Sequence, residues 1–501
     1  MLVDLVTDGG ETVTLDNEMI ASGAMKDIYV GADRSFVVGF FRDLPDDALR
    51  ERLREITTRY RTNLFDGPGG TFWRSHFCWP TDTVEHEGRI GVVVPFYRPQ
   101  FFFEHGSVDG DRLGIRGKDK EGKWFASASN RAKFLDPRER GDWLAYLRIC
   151  LGLARAVRRL HMAGLAHSDL SYKNVLVDPV TGGVCLIDLD GLVVPGKFPP
   201  DVVGTPDFIA PEVVATQHLP KDDPARRLPS RLTDRHALAV LIYVYLFYRH
   251  PLRGRKLHDP DPTRDDLLSM GSQALFVEHP NDASNRVDPE SQRPEGLPWT
   301  DPKRTPFTLA GPYLSALFLQ AFVEGLHDPD RRPSAADWES ALIRTLDMIQ
   351  PCSAGCETGW FVFDETTKPT CPHCGTPYRG VLPVLDFYSS RDGSAFRPDD
   401  HRLMVWSGQS LSAWHENRNV VPNEHLPADK ARRVGYFQLH GGTWHLVNEN
   451  MPTLHDLDTN KTVPVGEHIA LKDGGRILLS DQEGGRLAYI RLSGSAKSLY
   501  N

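Results

Sequence analysis

The chain has 501 residues, of which 40% are apolar, 25% charged and 10% aromatic. That balance excludes a disordered or fibrous chain, and at roughly 150 residues per domain it predicts two to four domains, each able to bury a core. The net charge of −9 argues against nucleic acid or acidic lipid as a nonspecific partner.

The opening Met1-Leu2-Val3-Asp4 puts an acid where a secretory leader carries its apolar stretch, so export is not expected. The strands expected first are Thr12 to Leu15, Ile28 to Gly31 and Phe36 to Phe41. A helix follows, with Pro45 near its first turn, Asp46 and Asp47 at its positive end, and Leu49, Leu53, Ile56 and Tyr60 at helical spacing. Gly91 to Pro95 reads as a buried strand and Trp143 to His161 as a long helix. The longest apolar run, Ala237 to Tyr248, spans twelve residues. A bilayer needs about twenty, so this run reads as a buried helix and no membrane is expected. A segment rich in Pro and Asp, Arg253 to Arg304, reads as a surface insertion. Residues 381–501 carry short alternating runs, clearest at Arg402 to Trp406, Tyr436 to Leu439, Trp444 to Val447, His468 to Leu471 and Arg476 to Leu479.

Chemistry concentrates after the long helix. The stretch His167-Ser168-Asp169-Leu170-Ser171-Tyr172-Lys173-Asn174 precedes a hairpin that ends at Ile187-Asp188-Leu189-Asp190-Gly191. Asp169 and Asn174 are five residues apart, and Asp169 and Asp188 nineteen apart across the hairpin. That topology lets all three converge, and two carboxylates with an amide suit a divalent cation with hard oxygen ligands. The alternative is three unrelated turn residues, since Asp and Asn favour turns.

These residues resemble the catalytic and metal-binding loops of the eukaryotic-type (Hanks-type) protein kinases. Further matches follow in the expected order: Gly204-Thr205-Pro206 through Ala210-Pro211-Glu212, Asp234-Arg235-His236-Ala237, and Asp328-Pro329-Asp330-Arg331-Arg332-Pro333. The resemblance implies a multidomain α+β chain with a bilobal kinase-like fold over residues 1–348, the small lobe about 1–96 and the large lobe about 97–348. It implies that Asp169 orients or accepts the proton of the attacking hydroxyl, that Asn174 and Asp188 hold Mg²⁺ against ATP, and that Arg332 pairs with Glu212. Ser171 stands where the family's Lys follows the catalytic Asp, so Lys173 is the candidate to reach the γ-phosphate. His167 reads as a packed histidine, and Thr205 resembles the serine/threonine class.

Several positions depart from the family. Of its three loop glycines only Gly23 survives, Lys26 sits at the third glycine position, and Phe36 to Arg42 holds no Lys. Either Lys26 supplies the missing ammonium, as with-no-lysine kinases do from a neighbouring strand, or the chain is a pseudokinase scaffold. Arg42 is a second candidate cation. Glu51 and Glu55 share one helix face, and Glu55 is the expected partner of the phosphate-contacting cation. Asp190 replaces the family's glycine, adding a carboxylate near the metal or stiffening the loop. Ser168 replaces the Arg that would read a phosphorylated activation loop, so no such switch is expected.

Seven cysteines in this length do not make a disulfide scaffold, and four lie between 352 and 374. Cys352-x-x-x-Cys356 and Cys371-x-x-Cys374 predict a closed, structural Zn²⁺ site within a zinc ribbon at 349–380, in a reducing, cytoplasmic setting. Residues 381–501 predict a β-sandwich. The run Val465 to Ile477 resembles the closing hairpin of forkhead-associated (FHA) domains, although that family's phosphate donors are not evident around Trp414 and Ala431. Kinase, ribbon and FHA-like tail together resemble the bacterial kinases of tellurite-resistance (Ter) clusters, as does Gly23 to Tyr29. That likeness implies stress signalling, protein substrates, and a co-encoded von Willebrand A-domain protein and PP2C-type phosphatase as partners. A small-molecule kinase of the aminoglycoside-phosphotransferase type is a third reading, opposed by Ala210-Pro211-Glu212.

Overall fold

The computed structural model describes residues 2–23, 25–194, 197–198, 204–220, 222–287, 301–365, 369–391 and 395–493. Ala24 of the glycine-poor loop and residues 288–300 of the expected insertion lie outside them. Contacts divide the chain into two units, Met1–Phe307 with Ser315–Ser340, and Thr308–Leu314 with Ala341–Asn501.

The first unit opens with six strands: β1 (Leu2–Val6), β2 (Thr12–Ser22), β3 (Lys26–Gly31), β4 (Phe36–Phe41), β5 (Asp82–His86) and β6 (Arg89–Pro95). They form one antiparallel sheet in the order β1-β2-β3-β4-β6-β5. Side chains alternate across a strand, and β4 uses both faces. Val38 and Phe40 join Leu5, Leu15, Val84 and Val93 in one core. Phe41, on the opposite face, packs with Leu53, Ile90 and Val92. Leu53 belongs to the helix Asp47–Glu55, whose first turn is capped by Asp46 accepting the Leu49 N–H at 2.7 Å. The helix continues through one wider turn, Ile56–Tyr60, to Phe65.

The remainder of this unit is mainly helical. Trp143–Met162 starts at an Asp142 cap, and Arg231–Phe247 at a capping box of Ser230 and Thr233. The second helix is buried on all sides from His236 to Phe247, as an all-round apolar helix must be. Between them in sequence lies the hairpin of β7 (Val175–Asp178) and β8 (Gly183–Leu186). The expected insertion at Arg253 to Arg304 is not purely a surface feature. It carries a helix, Pro262–Met270, and fully buries Phe276 and Val277, while Glu278 pairs with the buried Arg249. Local composition hid this because the anchors are few among many Pro and Asp. Arg332 grips Glu212 with two parallel bonds of 2.9 and 2.7 Å, the pairing the motifs implied.

In the second unit β9 (Ile349–Pro351) pairs with β10 (Trp360–Val362). Two further antiparallel sheets follow. One contains β11 (Leu382–Ser389) and β12 (Arg397–Met404); the other starts with β13 (Ser410–Ser412), β14 (Arg433–His440) and β15 (Thr443–Asn448). The remaining strands are β16 (His455–Asp456), β17 (Lys461–Thr462), β18 (His468–Ala470), β19 (Arg476–Leu478) and β20 (Arg486–Ser493). The sheet orders are β12-β11-β20-β19-β16-β17 and β13-β14-β15-β18. Phe387, Leu403 and Ile490 from one sheet and Phe437 and Leu446 from the other share one core, which also takes in Cys352, Cys371, Phe361 and Phe363. The cysteine segment and the tail therefore form one body, without the expected division at 380/381; some thirty residues are too few to bury a core alone.

Candidate active site

Register decides how Lys26 reaches the cleft. Ile28 lies opposite Gly39 and Lys26 opposite Phe41. Val37, Gly39 and Phe41 share one face of β4, so position 39 would point a side chain at the path of Lys26. A Cβ there would lie 3.2 Å from Ile28 Cδ1 and 3.4 Å from Lys26 Cδ. Glycine leaves that path open. Lys26 Nζ passes 5.3 Å from the Phe41 ring centroid and donates to Asp188 Oδ1 at 3.0 Å and Asp190 Oδ2 at 2.5 Å. Burial alone would pull this ammonium down, but Asp190 and then Asp188 outweigh it and hold it above its usual value. The Asp188 carboxyl is held low by Lys26 against its own burial, whereas burial pushes Asp190 up against the same pull.

The opposite wall is organised by Asp234, buried in the first turn of its helix. Its carboxylate accepts the N–H groups of His167 at 2.7 Å and Ser168 at 3.1 Å and lies 3.1 Å from His161 Nε2. This fixes the loop that carries Asp169, where Ser168 adopts a left-handed φ of 70°. Asn174 Nδ2 donates to the Asp169 carbonyl at 2.8 Å and to its Oδ2 at 3.0 Å. Thr205 N–H donates to Asp169 Oδ1 at 2.6 Å. The Ile187 N–H returns to the Asn174 carbonyl at 3.1 Å, tying the hairpin end to the loop, and His167 is buried with Nε2 3.1 Å from the Ile187 carbonyl. Asp188 follows with a left-handed φ of 58°, a conformation concentrated at functional loops.

Between these walls lie two adjoining cavities of about 460 and 380 Å³, in the range of small-molecule sites. They share Lys26, Ile28, Asp188 and Asp190. The larger is roofed by Val37, Val92 and Val94 and reaches Pro95 to Tyr97 and Asn174; the smaller takes in Gly23, His167 and Asp169. The structure thus gathers Gly23, Lys26, Asp169, Asn174 and Asp188. It does not bring Glu55 to Lys26: Lys197 Nζ lies 3.0 Å from Glu51 and 3.5 Å from Glu55, and Arg59 also pairs with Glu55 at 3.5 Å. Arg42 is taken by Asp27 at 3.0 Å. Lys173 is exposed and lines neither cavity. Sequence reasoning missed Gly39 and the pairing of Asp190. Strand alternation could have flagged the first; the second had no local signal.

The four predicted zinc ligands also converge. Cys352 and Cys374 sulfurs are 3.5 Å apart, Cys356 and Cys371 sulfurs 3.8 Å, and all four lie within 4.8 Å of one another. A tetrahedral ion with Zn–S bonds of about 2.3 Å requires S···S edges of about 3.8 Å, so the set fits Zn²⁺. A second cluster, Asp347 with His401 at 2.7 Å and His415 at 3.1 Å, does not behave as a metal site. The Ser412 N–H donates to His415 Nδ1 at 3.0 Å, which puts that ring's proton on Nε2, facing Asp347. The cluster is a hydrogen-bonded bridge.

Part of the chain is similar to known protein kinases. Residues 128–295 match the family model of the protein kinase domain. A stretch of 125 residues, 24% of this chain, is 32% identical to a death-associated protein kinase related protein of Drosophila melanogaster, covering 16% of it. Another of 131 residues, 25% of this chain, is 28% identical to the serine/threonine-protein kinase RAD53 of Saccharomyces cerevisiae, covering 15% of it. The chain therefore spans under a fifth of the length of these relatives. Among solved structures, ROP2 from Toxoplasma gondii, described as a virulence factor with a protein-kinase fold and no enzymatic activity, aligns at a TM-score of 0.38 and 16% identity, over 69% of this chain and 84% of that one. The matched residues 128–295 lie in the first unit, and serine/threonine kinases are among the proteins they are similar to. No helix among the described residues is long and apolar enough to cross a membrane.

Proposed function

We propose that the protein is a Mg-ATP-dependent serine/threonine protein kinase. The observation that carries this is the Lys26 ammonium inside the cleft beside Asp188, in a chain whose β4 has no lysine. The donor set suits the ion. Asn174 spends its NH₂ on Asp169, which turns its Oδ1 away as a hard acceptor, and the Asp188 side chain is half exposed. Bound Mg-ATP supplies the electrophilic phosphorus and the charge that must be neutralised during transfer. Lys26 contributes a fixed positive charge where phosphate oxygens would lie. Asp169 orients the substrate hydroxyl; N–H groups bonded to both its oxygens fix the carboxylate in place, so it acts by position. Thr205, through its backbone, ties that aspartate to the segment that would meet a peptide.

The reading extends to the second unit. The cysteine set supports a structural Zn²⁺. The two sheets support an FHA-like sandwich serving partner contacts, and the Ter-cluster likeness suggests bacterial stress signalling in the cytoplasm with the co-encoded partners named above. The rival reading, a pseudokinase scaffold, is favoured by the loss of two loop glycines. The test is incubation with labelled ATP and Mg²⁺, comparing the unmodified chain with Asp169→Asn. Transfer to itself or to a protein substrate, lost in the variant, supports the kinase. No transfer and no thermal shift at millimolar Mg-ATP would leave the scaffold.

A further inference from the structure

We infer that Asp190 is a positioning residue that holds Lys26 ready for nucleotide phosphates, the task protein kinases ordinarily give to a glutamate on the small-lobe helix. The inference rests on the kinase reading above and supplies the counter-ion which that reading lacks.

Three observations converge. First, the ammonium has two carboxylate partners, and they differ. Asp190 Oδ2 is the nearer at 2.5 Å, and its side chain is 7% exposed, against 51% for Asp188 at 3.0 Å. The buried carboxylate is the fixed end of the bridge. The open one is the residue carried over as a metal ligand, so Asp190 is the partner Lys26 can keep while nucleotide is bound. A lysine has three donors, and the bond to Asp190 leaves two for oxygens in the cleft.

Second, the helix acids are engaged elsewhere. Glu51 and Glu55 both face Lys197, and Arg59 shares Glu55. Neither forms an ion pair with Lys26 among the described residues. Third, Lys26 enters from β3 over the bare Cα of Gly39, not from β4. A cation displaced by one strand needs a counter-ion displaced with it, and Asp190 stands where the family carries a glycine that could offer none. The outcome is a nucleotide-site ion pair whose acid sits on the loop after β8, two residues beyond the metal-binding aspartate. Helix Asp47–Glu55 is then not required to complete the pair. Its acids pair instead with Lys197, a solvent-facing contact of small individual strength.

The full chain tests this in four forms: unmodified, Asp190→Asn, Asp190→Glu and Glu55→Gln. Steady-state kinetics give kcat and KM for ATP. Separately, urea midpoints of each form, alone and combined with Lys26→Met, give the coupling between Lys26 and each acid without any need for turnover. Asp190→Asn is expected to lower kcat/KM by about tenfold or more, chiefly through KM, because a fixed charge has lost its orientation. Asp190→Glu should recover much of that loss, and Glu55→Gln should cost several-fold less than Asp190→Asn. Asp190→Asn should lower the urea midpoint clearly when Lys26 is present and much less once Lys26 is Met, whereas Glu55→Gln should shift it equally in both backgrounds. Equal shifts for Asp190→Asn in both backgrounds, or coupling to Lys26 found for Glu55→Gln instead, overturn the inference. If no form transfers phosphate, the coupling still decides the pairing, and only the kinase reading fails.

Discussion

Lys26 and Gly39 make a single device out of two strands. The ammonium's stem crosses position 39, where a Cβ alone would already touch its Cδ at 3.4 Å, and it ends between two carboxylates. Lys26→Ala should lower kcat/KM for ATP by about a hundredfold, the scale of losing one preorganised charge-stabilising group. Adding Gly39→Lys to that variant returns an ammonium to the usual strand and should recover part of the loss, whereas Gly39→Lys alone crowds the native lysine and should reduce activity. Steady-state kinetics on the three variants decide it. Asp169, Asn174 and Asp188 were legible as a converging set because their spacing across a hairpin is a topological signal. Asp190 was legible only as an oddity. Its partner is 164 residues away, and nothing local in Asp-Leu-Asp says which acid takes the lysine.

Secondary elements were most legible where one pattern ran unbroken. The helix Trp143–Met162 matches its expected span closely, and Arg231–Phe247 contains the expected apolar run but starts six residues before Ala237. Elements were missed where patterns mixed. Strands Leu382–Ser389 and Arg486–Ser493 pair along eight residues, yet the first begins at Leu-Pro, a signal that normally demotes a strand. β2 runs on to Ser22, past the expected Leu15, through Asp and Asn that sequence rules assign to a turn. Two predictions belong at this scale. Arg332 is buried and, besides Glu212, donates to the carbonyls of Gly325, Leu326 and Leu232. Arg332→Met strands all of them and should destabilise the first unit by about 3 kcal/mol, read from the shift in urea midpoint. Asp111 accepts the backbone N–H groups of Ser107, Arg116 and Ile115, and these bonds, Ser107 foremost, hold its carboxyl at about 2. Its folded value is below the unfolded one of about 3.9, so its stabilisation is complete above that pH and is lost as pH falls toward 2. Asp111→Asn should flatten that part of a stability-versus-pH curve, measured by thermal unfolding between pH 5 and pH 2 on matched buffers.

At the scale of the whole chain, the four cysteines were fully legible because a thiolate set is defined by spacing, while the shared core beneath them was not. Cys352 and Cys371 are buried among the same apolar residues as the tail strands. Zinc should therefore support more than its own loop. The purified protein is expected to hold one zinc ion per chain by elemental analysis. Cys371→Ser, or a strong chelator, should remove it and lower the unfolding temperature, with amide exchange rising across 349–380 and into β11. Stoichiometric zinc absent from freshly purified protein would count against the site.

In the proposed kinase a lysine from β3 meets the nucleotide in a cleft completed by Asp169, Asn174 and Asp188. A crystal structure with Mg²⁺ and a non-hydrolysable ATP analogue tests it most directly. The analogue's phosphates should lie within hydrogen-bonding distance of Lys26 Nζ, with the ion on Asp188 and Asn174 and Asp190 still paired with Lys26. An analogue bound elsewhere, or phosphates held with Lys26 turned away from them, would contradict it.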